Sequence, residues 1–172
     1  MPEFGNFNAR AALRVALVSF IVMLSAIGMG QEMLRSRAFA ASPTMAREPL
    51  WLVTSGFEHR IEVEIAETPE QSAIGLMFRT DLPEGQGMLF PSAAPREAAM
   101  WMRNTFIPLD MVFIRADGIV HRIEAMTEPL SERIIESKGP VLAVLELKGG
   151  AAARLGLKPG DKVRHRVFGT AK

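Results

Sequence analysis

Two short apolar runs constrain this chain more than any other feature. Leu109–Ile114 reads LDMVFI and Val141–Leu147 reads VLAVLEL. Apolar residues occupy consecutive positions in both, not alternate ones. Each run therefore predicts a buried strand, and the first, apolar on both faces except for Asp110, a central one. Each run also carries one carboxylate, Asp110 in the first and Glu146 in the second. A carboxylate inside such a strand needs a partner or a solvated face. For Asp110 two readings stand: an internal salt bridge with Arg79 or Arg103, or a place in a polar cleft. For Glu146 the expected position is an outward, solvated one on an alternating strand.

Shorter signals surround these runs. Ile61, Val63 and Ile65 alternate with Arg60, Glu62 and Glu64, the period of a half-buried strand. Thr68-Pro69-Glu70-Gln71 predicts a helix start, with Thr68 as N-cap, Pro69 in the first turn and Gln71 closing a capping box. That helix is expected to reach about Phe78. Further strands are predicted at Met88–Phe90 and Ala98–Arg103, at Ile119–Ala125 after an Asp117-Gly118 hairpin turn, and at Val163–Phe168. Gly149–Leu155 predicts a second short helix. The sum is a mostly β, α+β domain: a curled or barrel-like antiparallel or mixed sheet of about seven short strands with one or two short helices.

The N-terminal 40 residues read differently. Arg10 and Arg14 precede the uncharged run Val15–Gly30, and Ala38-Phe39-Ala40 offers small residues for cleavage before Ala41. About 16 apolar residues suit a signal peptide better than a membrane span. Arg35 and Arg37 lie between the run and the cleavage site, so an uncleaved anchor over residues 15–30 is the alternative. The expected organisation is a leader over 1–40, a linker over 41–56 and one globular domain over 57–170. The expected location is exported, periplasmic or extracellular. Of 20 basic residues four lie in the leader, and of 19 acidic residues two do, which leaves 16 and 17 and a net charge of −1. No basic excess points to nucleic acid. The chain has no cysteine, which removes disulfides, thiolate nucleophiles and cysteine-bound metals.

The densest chemistry lies between Trp101 and Asp110, where an indole, a guanidinium, an amide, a hydroxyl and a carboxylate share ten residues. Trp101, Arg103, Asn104, Thr105 and Asp110, with Arg79 and Glu146, form the candidate ligand-binding set. The ligand class expected is small and polar or anionic, or a segment of an envelope protein. A catalytic carboxylate pair of Asp110 and Glu146 is the enzymatic alternative. Met100-Trp101-Met102 offers two thioethers, a soft-ligand pattern that suits Cu(I), although methionine more often fills core gaps. His59, His121 and His165 lack metal-ligand spacing and read as exposed strand residues. No nucleophile elbow or phosphate-binding loop occurs, and no cofactor is expected.

Four segments carry a family resemblance. They are Ala66-Glu67-Thr68 through Gly75-Leu76-Met77-Phe78-Arg79; Gly87-Met88-Leu89-Phe90; Trp101-Met102-Arg103-Asn104-Thr105-Phe106-Ile107-Pro108-Leu109-Asp110-Met111; and Leu145-Glu146-Leu147 followed by Gly150 and Gly160-Asp161. In order and spacing they resemble the bacterial and archaeal domain-of-unknown-function family 192, over about residues 57–168. Arg103 stands where that family usually has lysine, which keeps the charge and changes the hydrogen-bond geometry. The resemblance implies a small, often exported, largely β domain and implies no activity.

Overall fold

The computed structural model describes residues 45–171. The leader and its cleavage site lie outside the described residues. Among the described residues nine strands form: β1 (Ala46–Thr54), β2 (Phe57–Ile65), β3 (Gln86–Arg96), β4 (Ala99–Met100), β5 (Leu109–Ile114), β6 (Val120–Glu124), β7 (Ile135–Glu136), β8 (Val141–Lys148) and β9 (Lys162–Arg164). Two short helices join them, α1 (Pro69–Ile74) and α2 (Ala151–Leu155).

Seven strands make one sheet in the order β6-β5-β8-β3-β2-β1-β9. Only β2 and β3 run parallel; the other neighbours are antiparallel. The two ends of the sheet curl together. Ile119 bridges Lys162, the Val163 N–H donates to the Gly118 carbonyl at 2.7 Å, and the Val120 N–H donates to the Asp161 carbonyl at 2.8 Å. The result is a nearly closed barrel, which leaves few unpaired strand edges.

Residues 46–54, expected as linker, form β1 instead. Leu50 and Leu52 alternate into the core, and Ser55-Gly56 turns the chain tightly into β2 with Gly56 at φ +101°. Pro49 is tolerated because β9 pairs with β1 only from Trp51 to Val53, so Pro49 faces no ladder on that side. Three other limits shift. The first helix stops at Ile74, where Gly75 caps it, and does not reach Phe78. Only Ala99–Met100 of the stretch Ala98–Arg103 is strand. The last strand ends at Arg164, and Arg166–Phe168 forms a 3-10 turn. The capping box at Thr68 and Gln71 forms as expected.

Two cores account for the burial of β5 and β8 on both faces. Inside the barrel, Leu50, Ile61, Val63, Val112, Leu145 and Val163 meet α2, which plugs one end with Ala151 and Ala152. Outside it, the second face of β3, β5 and β8 carries Met88, Met111, Phe113 and Val144. A second layer built from the α1 region, the 97–108 segment and β7 covers that face through Leu76, Met102 and Ile135.

Asp110 joins these parts. Its carboxylate, fully buried, accepts the N–H of Met126 at 2.8 Å, of Gly150 at 2.9 Å and of Ala152 at 2.8 Å. It thus ties β5 to the loop after β6 and to the first turn of α2. Neither of the two readings, a salt bridge to Arg79 or Arg103 or a place in a polar cleft, is what forms; three backbone donors supply the compensation that a buried carboxylate requires. Asp110→Ala should lower the unfolding free energy by about 3 kcal/mol, because it leaves buried N–H groups unpaired. An unchanged midpoint in urea denaturation would contradict this. At Gly87 a Cβ would lie 2.7 Å from the Glu146 carbonyl oxygen. Gly87→Ala should therefore force β3 and β8 apart at a cost of about 2 kcal/mol, read as a fall in Tm.

Candidate functional site

Glu146 is set by the register of β8. It pairs with Met88 of β3 and Met111 of β5, so its side chain lies between two methionines on the outer face of the barrel sheet. The expected solvated position is not what forms. The second layer covers this face and leaves Glu146 4% exposed. Among the described residues no cation or hydrogen-bond donor meets its carboxyl group. Burial alone pushes its pKa up to about 8.

The carboxyl group opens onto a small cleft of about 30 Å³. Its walls are the end of α1 and the following turn (Ser72 to Met77), with Phe90, Met100, Trp101 and Thr105. That volume suits about two water-sized groups. The Trp101–Thr105 turn is held in place from both sides. The Met102 N–H donates to the Ser131 carbonyl at 3.0 Å, and the Phe78 N–H donates to the Asn104 carbonyl at 2.8 Å. Asn104 has φ +56°, a conformation asparagine tolerates better than most residues, and Phe78 has φ +64°, an uncommon one for a bulky side chain. Beside the cleft, Phe78, Trp101 and Phe106 are exposed, with the Phe78 and Phe106 rings edge to face at 6.3 Å.

The seven predicted residues therefore separate into three groups. Trp101, Thr105 and Glu146 line one cleft. Arg79, Arg103 and Asn104 flank it without lining it. Arg79 forms a two-pronged pair with Glu64, whose pKa is held down first by that hydrogen bond. The Arg103 guanidinium lies 4.4 Å over the Trp101 ring and pairs with Glu132 at 3.0 Å. The Asn104 amide donates weakly to the Met77 sulfur at 3.9 Å. Asp110 belongs elsewhere: it pairs across the ladder with Leu147, not Glu146, and so projects from the opposite face of the sheet. The proposed catalytic pair of Asp110 and Glu146 does not form, because adjacent positions on a strand point to opposite faces.

Sequence reasoning missed the walls contributed by Ser72 to Met77 and by Phe90. The one usable signal was a glutamate inside an otherwise apolar run.

Other clusters are less suited to a ligand. A larger cavity of about 330 Å³ opens at the barrel end between β2, β3, β8 and α2. Its charges are engaged: Arg60 with Glu62, Arg154 with Glu84, Lys148 with Asp81 and Arg164 with Glu58. His165, expected exposed, is buried. Its Nδ1 accepts the Val167 N–H, which assigns the proton to Nε2, 3.1 Å from Glu48 Oε2. Burial lowers its pKa. Among the described residues no group of three His, Asp or Glu side chains is placed to hold a metal ion. The thioethers of Met100 and Met102 do not act together, because Met102 is buried and its sulfur accepts the Thr127 hydroxyl at 3.1 Å.

Glu146 makes stability pH-dependent with a defined sign. Its folded pKa lies above the ordinary value of 4.5, so the folded state holds the proton more tightly. Its contribution is full below about pH 4.5 and is lost as pH rises through about 8. From pH 5 to pH 8 the protein should lose a few kcal/mol of stability relative to Glu146→Gln, which has no proton to release. Both proteins keep His165, so its opposite trend cancels in the difference. Parallel stability–pH curves from urea denaturation would contradict the burial argument.

Comparison with known proteins adds a family and two structures. The family model DUF192, described as "Uncharacterized ACR", matches residues 51–165. A crystal structure of a "putative transcription regulator" from Sinorhizobium meliloti is 41% identical at a TM-score of 0.71, and covers 74% of this chain and 99% of that one. A crystal structure of a protein of unknown function from Novosphingobium aromaticivorans is 43% identical at a TM-score of 0.68, and covers 73% and 94%. No curated protein matches. With a family-model match over residues 51–165 and two structures of the same architecture above 40% identity, this chain belongs to the DUF192 family.

Proposed function

We propose that this chain is a small binding domain that works outside the cytoplasm and takes a small polar group into the Glu146 cleft. One observation carries the reading. A carboxyl group is buried with no partner of its own and opens onto a cleft with mixed polar and apolar walls. Such a group costs stability unless a ligand satisfies it, and protein folds retain costly polar groups where they act. The rigid turns at Gly75–Phe78 and Trp101–Thr105 present the walls in advance, which lowers the entropic cost of capture. Export rests on the uncharged run Val15–Gly30 behind Arg10 and Arg14.

A nucleic-acid reading, prompted by the description of the Sinorhizobium structure, has less support. Every described arginine except Arg96 is engaged in an ion pair with a carboxylate. Among the described residues, Arg96, Lys138, Lys158 and Lys162 are the cations without an ion pair, a small set to meet a phosphate backbone. An anionic ligand is likewise disfavoured at the cleft, because neither Arg79 nor Arg103 lines it.

The test is NMR shift mapping with four probes of equal size and different polarity: n-butylamine, n-butanol, butanamide and butanoate. At least one should shift the Trp101 indole and the amides of Gly75, Thr105 and Glu146 in a saturable way. Glu146→Leu should abolish that response while the spectrum stays folded. No saturable shift from any probe would overturn the reading.

A further inference from the structure

The Glu146 cleft holds acceptors and a π surface and holds no cation. Glu146 lies at its wall together with Thr105, Met77 and Met100, whose hydroxyl and thioether groups are the polar atoms of those side chains. Phe90 and Trp101 add aromatic surface. The C-terminal turn of α1 forms another wall, where the Gly75 N–H donates to the Gln71 carbonyl and the Met77 N–H to the Ile74 carbonyl. Glu146 is the one charged or titratable side chain among the residues that line the cleft. On the flanking segments the charges are Arg79 and Arg103, each matched by its own carboxylate, Glu64 and Glu132. The exposed Trp101 ring already carries one cation, the Arg103 guanidinium at 4.4 Å, so its π surface is suitably disposed for positive charge.

We infer that the cleft binds an alkylammonium group, the end of a lysine side chain or a free aliphatic amine, with its nitrogen against the Glu146 carboxylate and its alkyl stem along Met77, Met100 and Trp101. This rests on the binding-domain reading and names the ligand class for the same site. The chemistry matches at each point. An ammonium supplies up to three donors to a site built of acceptors. It supplies the opposite charge that a buried carboxylate lacks. An NH3+ head with its first methylene fills the space of about two water-sized groups that the cleft offers. A guanidinium, a wider planar fork, does not fit that volume.

Binding is then linked to proton release. Glu146 is mostly protonated at neutral pH and must ionise to pair with the ammonium. Affinity for n-butylamine should rise about tenfold from pH 6 to pH 7 and level off above about pH 8. Calorimetric titration of the full chain in two buffers of different ionisation enthalpy should show close to one proton released per amine bound at pH 6.5. This readout needs no variant. Glu146→Gln should weaken binding by at least tenfold and remove the pH dependence, and Trp101→Leu should weaken binding and keep it.

Two amine arms separate the sources. A stronger response to Nα-acetyl-lysine methylamide than to n-butylamine assigns the site to a lysine side chain on a protein partner. An equal response assigns it to free amines. Binding of n-butanol or butanoate in place of the amine overturns the ammonium assignment and leaves the binding-domain reading standing. Pairing with the amine without proton release or pH dependence also overturns it, since Glu146 is then not the counter-ion. No response to any probe overturns both.

Discussion

Burial of β5 and β8 on both faces sets the plan of the whole molecule. A strand with apolar side chains on both faces needs a core on each side. The barrel closes around one face with a core drawn from all seven strands of the sheet. The other face needs a separate cover, and the chain supplies it with the α1 region, the 97–108 segment and β7. The methionine-rich second core follows from this demand. Its covering layer is irregular, and methionine adapts to irregular space better than branched side chains do.

The two carboxylates on these strands show how one constraint has two outcomes. Asp110 and Glu146 are both buried within nearly continuous apolar runs. Asp110 faces the end of the barrel, where the start of α2 and the loop at Met126 bring three N–H groups to it. Those groups need an acceptor as much as the carboxylate needs donors, so both sides gain. Glu146 faces the covered side, between Met88 and Met111, where among the described residues no donor reaches it. The first is a structural fastening. The second is an unsatisfied group at the wall of a cleft, which is why the functional reading falls there and not on Asp110.

The arginines complete the electrostatic picture. Among the described residues all but Arg96 pair with carboxylates, Glu64 and Glu124 each taking two. Exposed pairs of this kind contribute little to stability. Among the described residues, Asp110 and Glu146 are the buried carboxylates without an ion pair, and of the two Glu146 lines the cleft.

How much was legible beforehand differs between fold and site. Val112 and Leu145 lie in runs whose apolar continuity identifies a two-sided strand without help from the rest of the chain. Thr68, Pro69 and Gln71 determine a helix start locally, because capping is a contact over three residues. The family segments were readable for the same reason. β1 escaped notice because Pro49 and the polar residues before it mask an alternation that only pairing with β2 makes meaningful. The site needed the tertiary structure. The polar residues from Trp101 to Asp110 are adjacent in sequence, yet strand alternation sends Asp110 to the far side of the sheet. Arg79 and Arg103 find carboxylates 15 and 29 residues away. The cleft itself is assembled from α1, Phe90, the 100–105 turn and Glu146, segments brought together only when the second layer settles on the barrel. The sequence by itself thus determined most of the strands, the start of the first helix and the family, because those depend on neighbours along the chain. Which carboxylate is satisfied and which is left open depends on what packs across each face of the sheet, and only the folded chain decides that.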